Sequence, residues 1–383
     1  MKGDPMGFGI ALVLVVGILL ILAVSLAVVL ARRVVLPRTI KTVRVHAVSA
    51  DRVVLTVDAK TVHPGEFGLW LDDAGCHLRV GAVRSTDSLT GLVERDILAV
   101  HGVPPAAGPG RWTGHVFAGP EQVDTSYRDV LLETEGGSAP AWLFEPPQGD
   151  GSVWAVHVHG IRASRITALR SVPIAQERGY TSIVPSFRSD GEGPDTPLGA
   201  STLGYTEWRD VEAALSYAIH HGAQLIVLFG WSMGGQIALQ LSEQSAYRER
   251  IAGLILIAPV TDWRRVIRNG ARRAKLPASV GRLAEWALER RVLSRMVGLR
   301  KPIDLDALDW GASPRVSKPC LVIHSAGDDE VPFVVSRRFE EANRGFVDIA
   351  QFPEAAHAWE YNLDAVRFHA VIADWLDHAV APQ

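Results

Sequence analysis

Gly230-Trp231-Ser232-Met233-Gly234 sets a serine between glycines directly after the apolar run 225–229. A G-x-S-x-G pattern between a strand and a helix holds its serine on a sharp, strained turn with the hydroxyl presented at the end of a sheet. The glycines are needed because the bend is crowded by neighbouring chain. A hydroxyl is a weak nucleophile, so chemistry at Ser232 requires a base, and the base requires an acid to orient it. On elbows of this kind the acid and then the histidine follow the serine along the chain.

Four histidines follow Ser232. His324 ends the predicted strand 320–324, and His369 and His378 fall on a predicted terminal helix, 363–379. Only His357 lies in a loop, directly after the predicted strand 346–352, which makes it the candidate base. The acid belongs in the preceding strand-end loop, 324–332, where Asp328 and Asp329 are both candidates; Asp262, after the strand 251–257, is a remoter one. A tetrahedral oxyanion needs two backbone N–H donors. Met233, after the serine, is one, and Ile161, in the loop opened by His159-Gly160, is the other. His157 and His159 alone, with no further ligands at metal-site spacing, do not make a metal centre, so neither a metal nor a cofactor is expected.

These residues need a scaffold of strands that end in loops. From Tyr127 onward the strands 128–134 and 139–145 flank a turn at Glu135-Gly136-Gly137. Short apolar strands (153–158, 182–185, 225–229) then alternate with helices at 164–178, 206–221 and from Gly235. This rhythm predicts βαβ units and a mostly parallel sheet, whose site lies beyond the carboxyl ends of its strands. Upstream, 42–48, 52–57 and 78–83 read as β segments broken by His63-Pro64-Gly65, Asp72-Asp73-Ala74-Gly75 and the stretch 103–110, a small β-rich accessory unit.

Together, His159-Gly160-Ile161, Gly230-Trp231-Ser232-Met233-Gly234, Asp328-x-x-Val331-Pro332 and His357 resemble the α/β-hydrolase superfamily, from roughly Tyr127 to the C-terminus. In that family the acid commonly stands three residues before a Val-Pro pair, so the resemblance favours Asp328 over Asp329. The run Phe187–Gly193 also looks like a loop of relatives. The chain looks closest to membrane-anchored serine hydrolases and to the branch related to prolyl oligopeptidase, though its β unit shows no propeller repeat. The resemblance implies an α/β-hydrolase fold with a helical cap at 261–316. It also implies cleavage of an ester, thioester or lipid acyl bond through an acyl-enzyme, with a peptidase or amidase as the alternative.

The composition fits a large folded core: 383 residues, 48% hydrophobic and 21% charged, with a formal net charge of -3. Nothing in that balance calls for nucleic acid. Cys76 and Cys320 form neither a disulfide framework nor a metal-type spacing. The run 8–31 is apolar or small apart from Ser25; as a helix it is about 36 Å long, enough to cross a hydrocarbon core of about 30 Å. It exceeds the apolar region of a signal peptide and ends in a poor cleavage site. Arg32, Arg33, Arg38 and Lys41 follow the span and Lys2, offset by Asp4, precedes it, placing the bulk of the chain on the cytoplasmic side. The expected organisation is a single-pass anchor at 1–37, the β unit at 38–126 and the catalytic unit at 127–383. Twelve Lys or Arg residues between Arg264 and Lys301 face only Glu285 and Glu289. That cap reads either as a solvated lid or as a basic surface for anionic headgroups.

Overall fold

The apolar N-terminal run folds as one long helix, α1 (Pro5–Val35), in a computed structural model that describes residues 5–37, 43–71, 75–123 and 126–380. Its segment Leu12–Val35 has a mean hydropathy of 3.3, long and apolar enough to cross a membrane. From Leu12 to Leu22 the large apolar side chains are exposed, whereas Ala27, Val28, Ala31 and Val35 are buried against the rest of the protein. The Asp72–Ala74 part of the predicted turn, and Arg38 and Lys41, lie outside the described residues.

The accessory unit is a closed antiparallel barrel. Its strands are β1 (Val43–Val48), β2 (Arg52–Thr56), β3 (Phe67–Leu71), β4 (Cys76–Asp87), β5 (Leu92–Gly102) and β6 (Gly108–Thr113), in the order β1-β2-β5-β4-β3-β6. Closure removes the sheet edges that a small β unit would otherwise expose. Strands β3, β5 and β6 escape the sequence reading. Gly68 interrupts β3, glycines and proline open β6, and β5 carries charged residues among its apolar ones, so alternation is weak. Val53, Leu55, Phe67, Leu69, Leu78 and Val93 fill the barrel, and Ala355 and Trp359 of the catalytic unit join the same cluster. The barrel therefore sits against the segment that carries His357.

The catalytic unit is an eight-stranded mixed sheet: β7 (Tyr127–Thr134), β8 (Gly137–Phe144), β9 (Val153–Val158), β10 (Thr181–Pro185), β11 (Leu225–Trp231), β12 (Ile251–Ile257), β13 (Cys320–Ser325) and β14 (Val347–Phe352). The order is β14-β13-β12-β11-β9-β10-β8-β7, parallel from β14 to β10 and antiparallel at β8 and β7. Successive residues point to opposite faces. Ile226 and Leu228 thus belong to one apolar cluster, and Val227, Phe229 and Trp231 to the other. One face is covered by α3 (Trp208–His220), α4 (Met233–Gln244) and α8 (Val334–Ala342), the other by α2 (Val172–Glu177) and α9 (Ala365–Ala379). The predicted helix 164–178 is a 3-10 stretch, Arg165–Ser171, that passes into α2. Pro173 has no N–H for an internal helix bond and therefore fits the first turn of α2, where it stands.

The cap is helical: α5 (Trp263–Arg273), α6 (Ala278–Glu289) and α7 (Arg291–Val297). Glu285 accepts two bonds of 2.7 Å from Arg268, and Arg264 reaches Glu289 at 2.5 Å. Both cap carboxylates are thus spent inside the cap. Helix α1 packs along α6 and α7, and Arg32 donates from Nη2 to Met296 O at 2.8 Å.

Candidate active site

Strand β11 delivers Trp231 and the chain then turns sharply: Ser232 has φ 54° and ψ −113°, and α4 begins at the next residue. The turn is possible because of what the glycines lack. A Cβ on Gly234 would stand 2.1 Å from Val158 O, and one on Gly230 2.6 Å from Gly234 O. Ser232 N–H donates to Ile257 O at 2.8 Å, which fixes the bend to β12.

Ser232 Oγ lies 2.8 Å from His357 Nε2, and His357 Nδ1 lies 2.6 Å from Asp328 Oδ2. An ionised carboxylate only accepts hydrogen bonds, so Nδ1–H donates to Asp328 and Nε2 is left to accept the serine proton. Asp328 Oδ1 accepts the Glu330 and Val331 N–H groups, each at 2.9 Å. The carboxylate is buried, which on its own favours the neutral acid. The His357 and His324 imidazoles outweigh this and hold it well below the usual carboxylate range. Burial likewise pushes the His357 imidazole down, but the adjacent Asp328 charge prevails and raises it to about 9.

The structure separates the three acid candidates. Asp329 is exposed and pairs with Arg273 at 2.7 Å. Asp262 caps α5 by accepting from Arg265 N at 3.1 Å and pairs with Arg338 at 2.8 Å. Only Asp328 reaches His357. A second imidazole also touches that carboxylate: His324, fully buried, places Nε2 3.1 Å from Asp328 Oδ2 while Ser336 Oγ lies 2.8 Å from its Nδ1. Sequence reasoning left His324 as the end of a strand. Its only signal is its i, i+4 spacing to Asp328 across the strand-end turn.

Gly160 brings the loop after β9 against the elbow: a Cβ there would meet Ser232 Cβ at 3.0 Å. Ile161 follows it in the same loop. Met233 opens α4, where a helix leaves its first N–H groups without internal partners. His157 faces Ser171 Oγ (2.9 Å) and Ser182 Oγ (3.1 Å), and His159 faces Gly160 O (2.9 Å) and Asp190 Oδ2 (3.1 Å). The second pair ties the Gly160 loop to the segment after β10.

Arg162, with φ 59°, ties the same loop to α1. Its guanidinium donates to Leu36 O at 3.0 Å, to Arg33 O at 2.8 Å and to Val34 O, and Ser201 N–H donates to Val35 O at 2.9 Å. Carbonyls at a helix C-terminus lack internal partners, and here a side chain adjoining Ile161 supplies them. Arg162→Ala is expected to lower kcat about tenfold with KM little changed, because it frees the loop whose Gly160 abuts Ser232. Steady-state kinetics on one ester check this, and Arg162→Lys should recover part of the loss. An unchanged kcat in Arg162→Ala would detach the helix end from the site.

A cleft of about 720 Å³ opens beside this loop, walled by Val35 and Pro37 at the end of α1, Trp70 and Arg111 of the barrel, and Ile161 and Arg162. No local sequence pattern predicts this meeting of three separate segments.

Comparison with known proteins agrees with this architecture. Residues 136–370 match the family model described as "Alpha/beta hydrolase family", and residues 44–113 match a domain of unknown function (DUF8805). No curated protein matches the chain. Among solved structures, the esterase Pf2001 of Pyrococcus furiosus is 17% identical, with 68% of this chain and 96% of that one covered at a TM-score of 0.51. A thermophilic esterase from Thermogutta terrifontis is 21% identical, with 66% and 99% covered at a TM-score of 0.45. At such identities the first likeness shows the fold of the catalytic unit.

Proposed function

The chain belongs to the alpha/beta hydrolase family and is a hydrolase, and from that premise we propose that Ser232 cleaves a carboxylic ester, thioester or lipid acyl bond through an acyl-enzyme. The observation that carries the reading is the unbroken relay from Ser232 through His357 to Asp328, 2.8 and 2.6 Å long. Ser232 Oγ attacks the acyl carbon as its proton passes to His357 Nε2. Asp328 holds the imidazole in the accepting tautomer and stabilises its cation. The Ile161 and Met233 N–H groups receive the charge that develops on the carbonyl oxygen. His357 then returns the proton to the departing alcohol or thiol, and water releases the acyl group by the same steps in reverse roles. On a panel of p-nitrophenyl esters and aminoacyl-p-nitroanilides, kcat/KM should be higher for the esters. Faster anilide turnover would make the chain an amidase or peptidase instead.

The same proposal makes α1 a retained membrane anchor. Its exposed apolar face from Leu12 to Leu22 suits lipid, while Ala27, Ala31 and Val35 are part of the catalytic unit's core. Removing the helix as a leader would strip that core of side chains it has buried. Arg282, Arg290, Arg291 and Arg295, exposed on the cap beside α1 and without a carboxylate partner among the described residues, suit anionic headgroups. Together with Arg32 and Arg33 they favour a cytoplasmic catalytic unit. A C-terminal reporter active only in the cytoplasm should give signal, and an external signal would reverse the orientation.

A further inference from the structure

Two barrel residues that line the cleft carry hydrogen-bond donors with no acceptor among the described residues. Trp70 on β3 is nine-tenths buried and its Nε1–H finds no acceptor. Arg111 on β6, half-buried, has no carboxylate partner among the described residues. The two residues are directly paired in the β3–β6 register, so they share one face of the barrel. The guanidinium carbon stands 5.8 Å from the centre of the Trp70 ring. Across the cleft, the Thr196 hydroxyl is also buried and unpartnered.

An indole N–H and a guanidinium can only donate, and removing such groups from water without acceptors is costly. A group that brings acceptors and negative charge would complete this wall. The nearby carboxylates do not fill this role. Asp190 is occupied by the Phe187, Glu192 and Gly193 N–H groups, Ser186 and His159, and Asp195 is exposed at the rim. The cleft opens beside the elbow loop: Ile161 lines it, and the neighbouring Gly160 abuts Ser232. Val35 and Pro37 add an apolar side at the point where α1 ends.

We propose that the barrel supplies a subsite for an oxyanion group, phosphate or carboxylate, carried by an amphiphilic ester, with Arg111 and the Trp70 indole N–H as its donors. This deepens the reading of Ser232 and rests on it for the word ester. The accessory barrel thereby selects the substrate, its two donors donating to an anionic head while the end of α1 contacts the apolar part.

Binding tests this without any bond being cleaved. Full-length protein in neutral detergent is titrated calorimetrically with n-hexyl phosphate, inorganic phosphate and n-hexanol. Hexyl phosphate should bind about tenfold more tightly than either of the others, and Arg111→Gln should lose about tenfold of that affinity, as expected for a charge-assisted bond. Trp70→Phe, which keeps the ring and removes the donor, should lose about threefold. Thermal melts establish that each variant is folded. Hexanol binding as tightly as hexyl phosphate, or equal hexyl phosphate affinity in wild type and both variants, would overturn the subsite. Equal binding of inorganic and hexyl phosphate would overturn the amphiphile and leave free phosphate as the occupant. A wild type that binds hexyl phosphate but whose Ser232 stays inert to an acylating probe would keep the subsite and remove the hydrolase reading.

Discussion

Ser232→Ala is expected to lower kcat on a p-nitrophenyl ester by about 10⁶-fold, the size of loss seen when the nucleophile of a serine–histidine–carboxylate unit is removed. At 1.36 kcal/mol per decade this is about 8 kcal/mol of transition-state stabilisation. The loss should be one of chemistry alone. Alanine keeps the Cβ and therefore the same strained backbone at φ 54°, so nothing in the elbow relaxes or collapses. The melting temperature should stay close to that of wild type, and burst-phase kinetics should show no acyl-enzyme. A variant that kept more than about a hundredth of wild-type kcat would mean that another group attacks, because the residual catalysis by oxyanion donors and binding alone is only about 10³–10⁴ over water.

Asp328→Asn should cost about 10⁴-fold in kcat, since an amide no longer specifies the tautomer in which Nε2 accepts. It should also move the pH profile. In wild type the neighbouring carboxylate raises His357 to about 9. The neutral imidazole is the base, so kcat/KM, which reports the free enzyme, should rise with pH through that value. Without the carboxylate's charge the imidazole falls toward its ordinary value, and the rising limb of the residual activity should shift to lower pH. Asp329→Asn, at an exposed side chain paired with Arg273, should do neither. If Asp329→Asn shifted the limb and Asp328→Asn did not, the acid assignment would be reversed.

The elbow and its partners are legible because each is a local pattern. Ser232 is framed by glycines whose absent side chains the bend requires, and His357 alone among the later histidines follows a strand in a loop. The choice between Asp328 and Asp329 is not local. Residue spacing leaves both open, and what separates them is that Asp328 turns inward to two imidazoles and two N–H groups while Asp329 turns out to Arg273. His324 is hidden for the same reason: a buried histidine at a strand end looks like core until its partner is placed. The rhythm of short apolar strands and helices from Tyr127 onward makes the catalytic fold legible in the sequence. The barrel's closure depends on β3, β5 and β6, whose glycines, proline and charged residues blur the period of two. The Arg162 bonds span 126 to 129 residues to the end of α1, and the Trp70–Arg111 wall needs β3 and β6 in register. Contacts of that range are set by the folded chain and leave no signature in either segment.

The most direct test of the account is covalent. Full-length protein incubated with a fluorophosphonate and digested for mass spectrometry should carry one adduct, on the peptide containing Ser232, and His357→Ala should slow its formation by orders of magnitude. An unmodified Ser232 in folded wild-type protein, or an adduct on a different residue, would contradict the claim that this hydroxyl is the activated nucleophile.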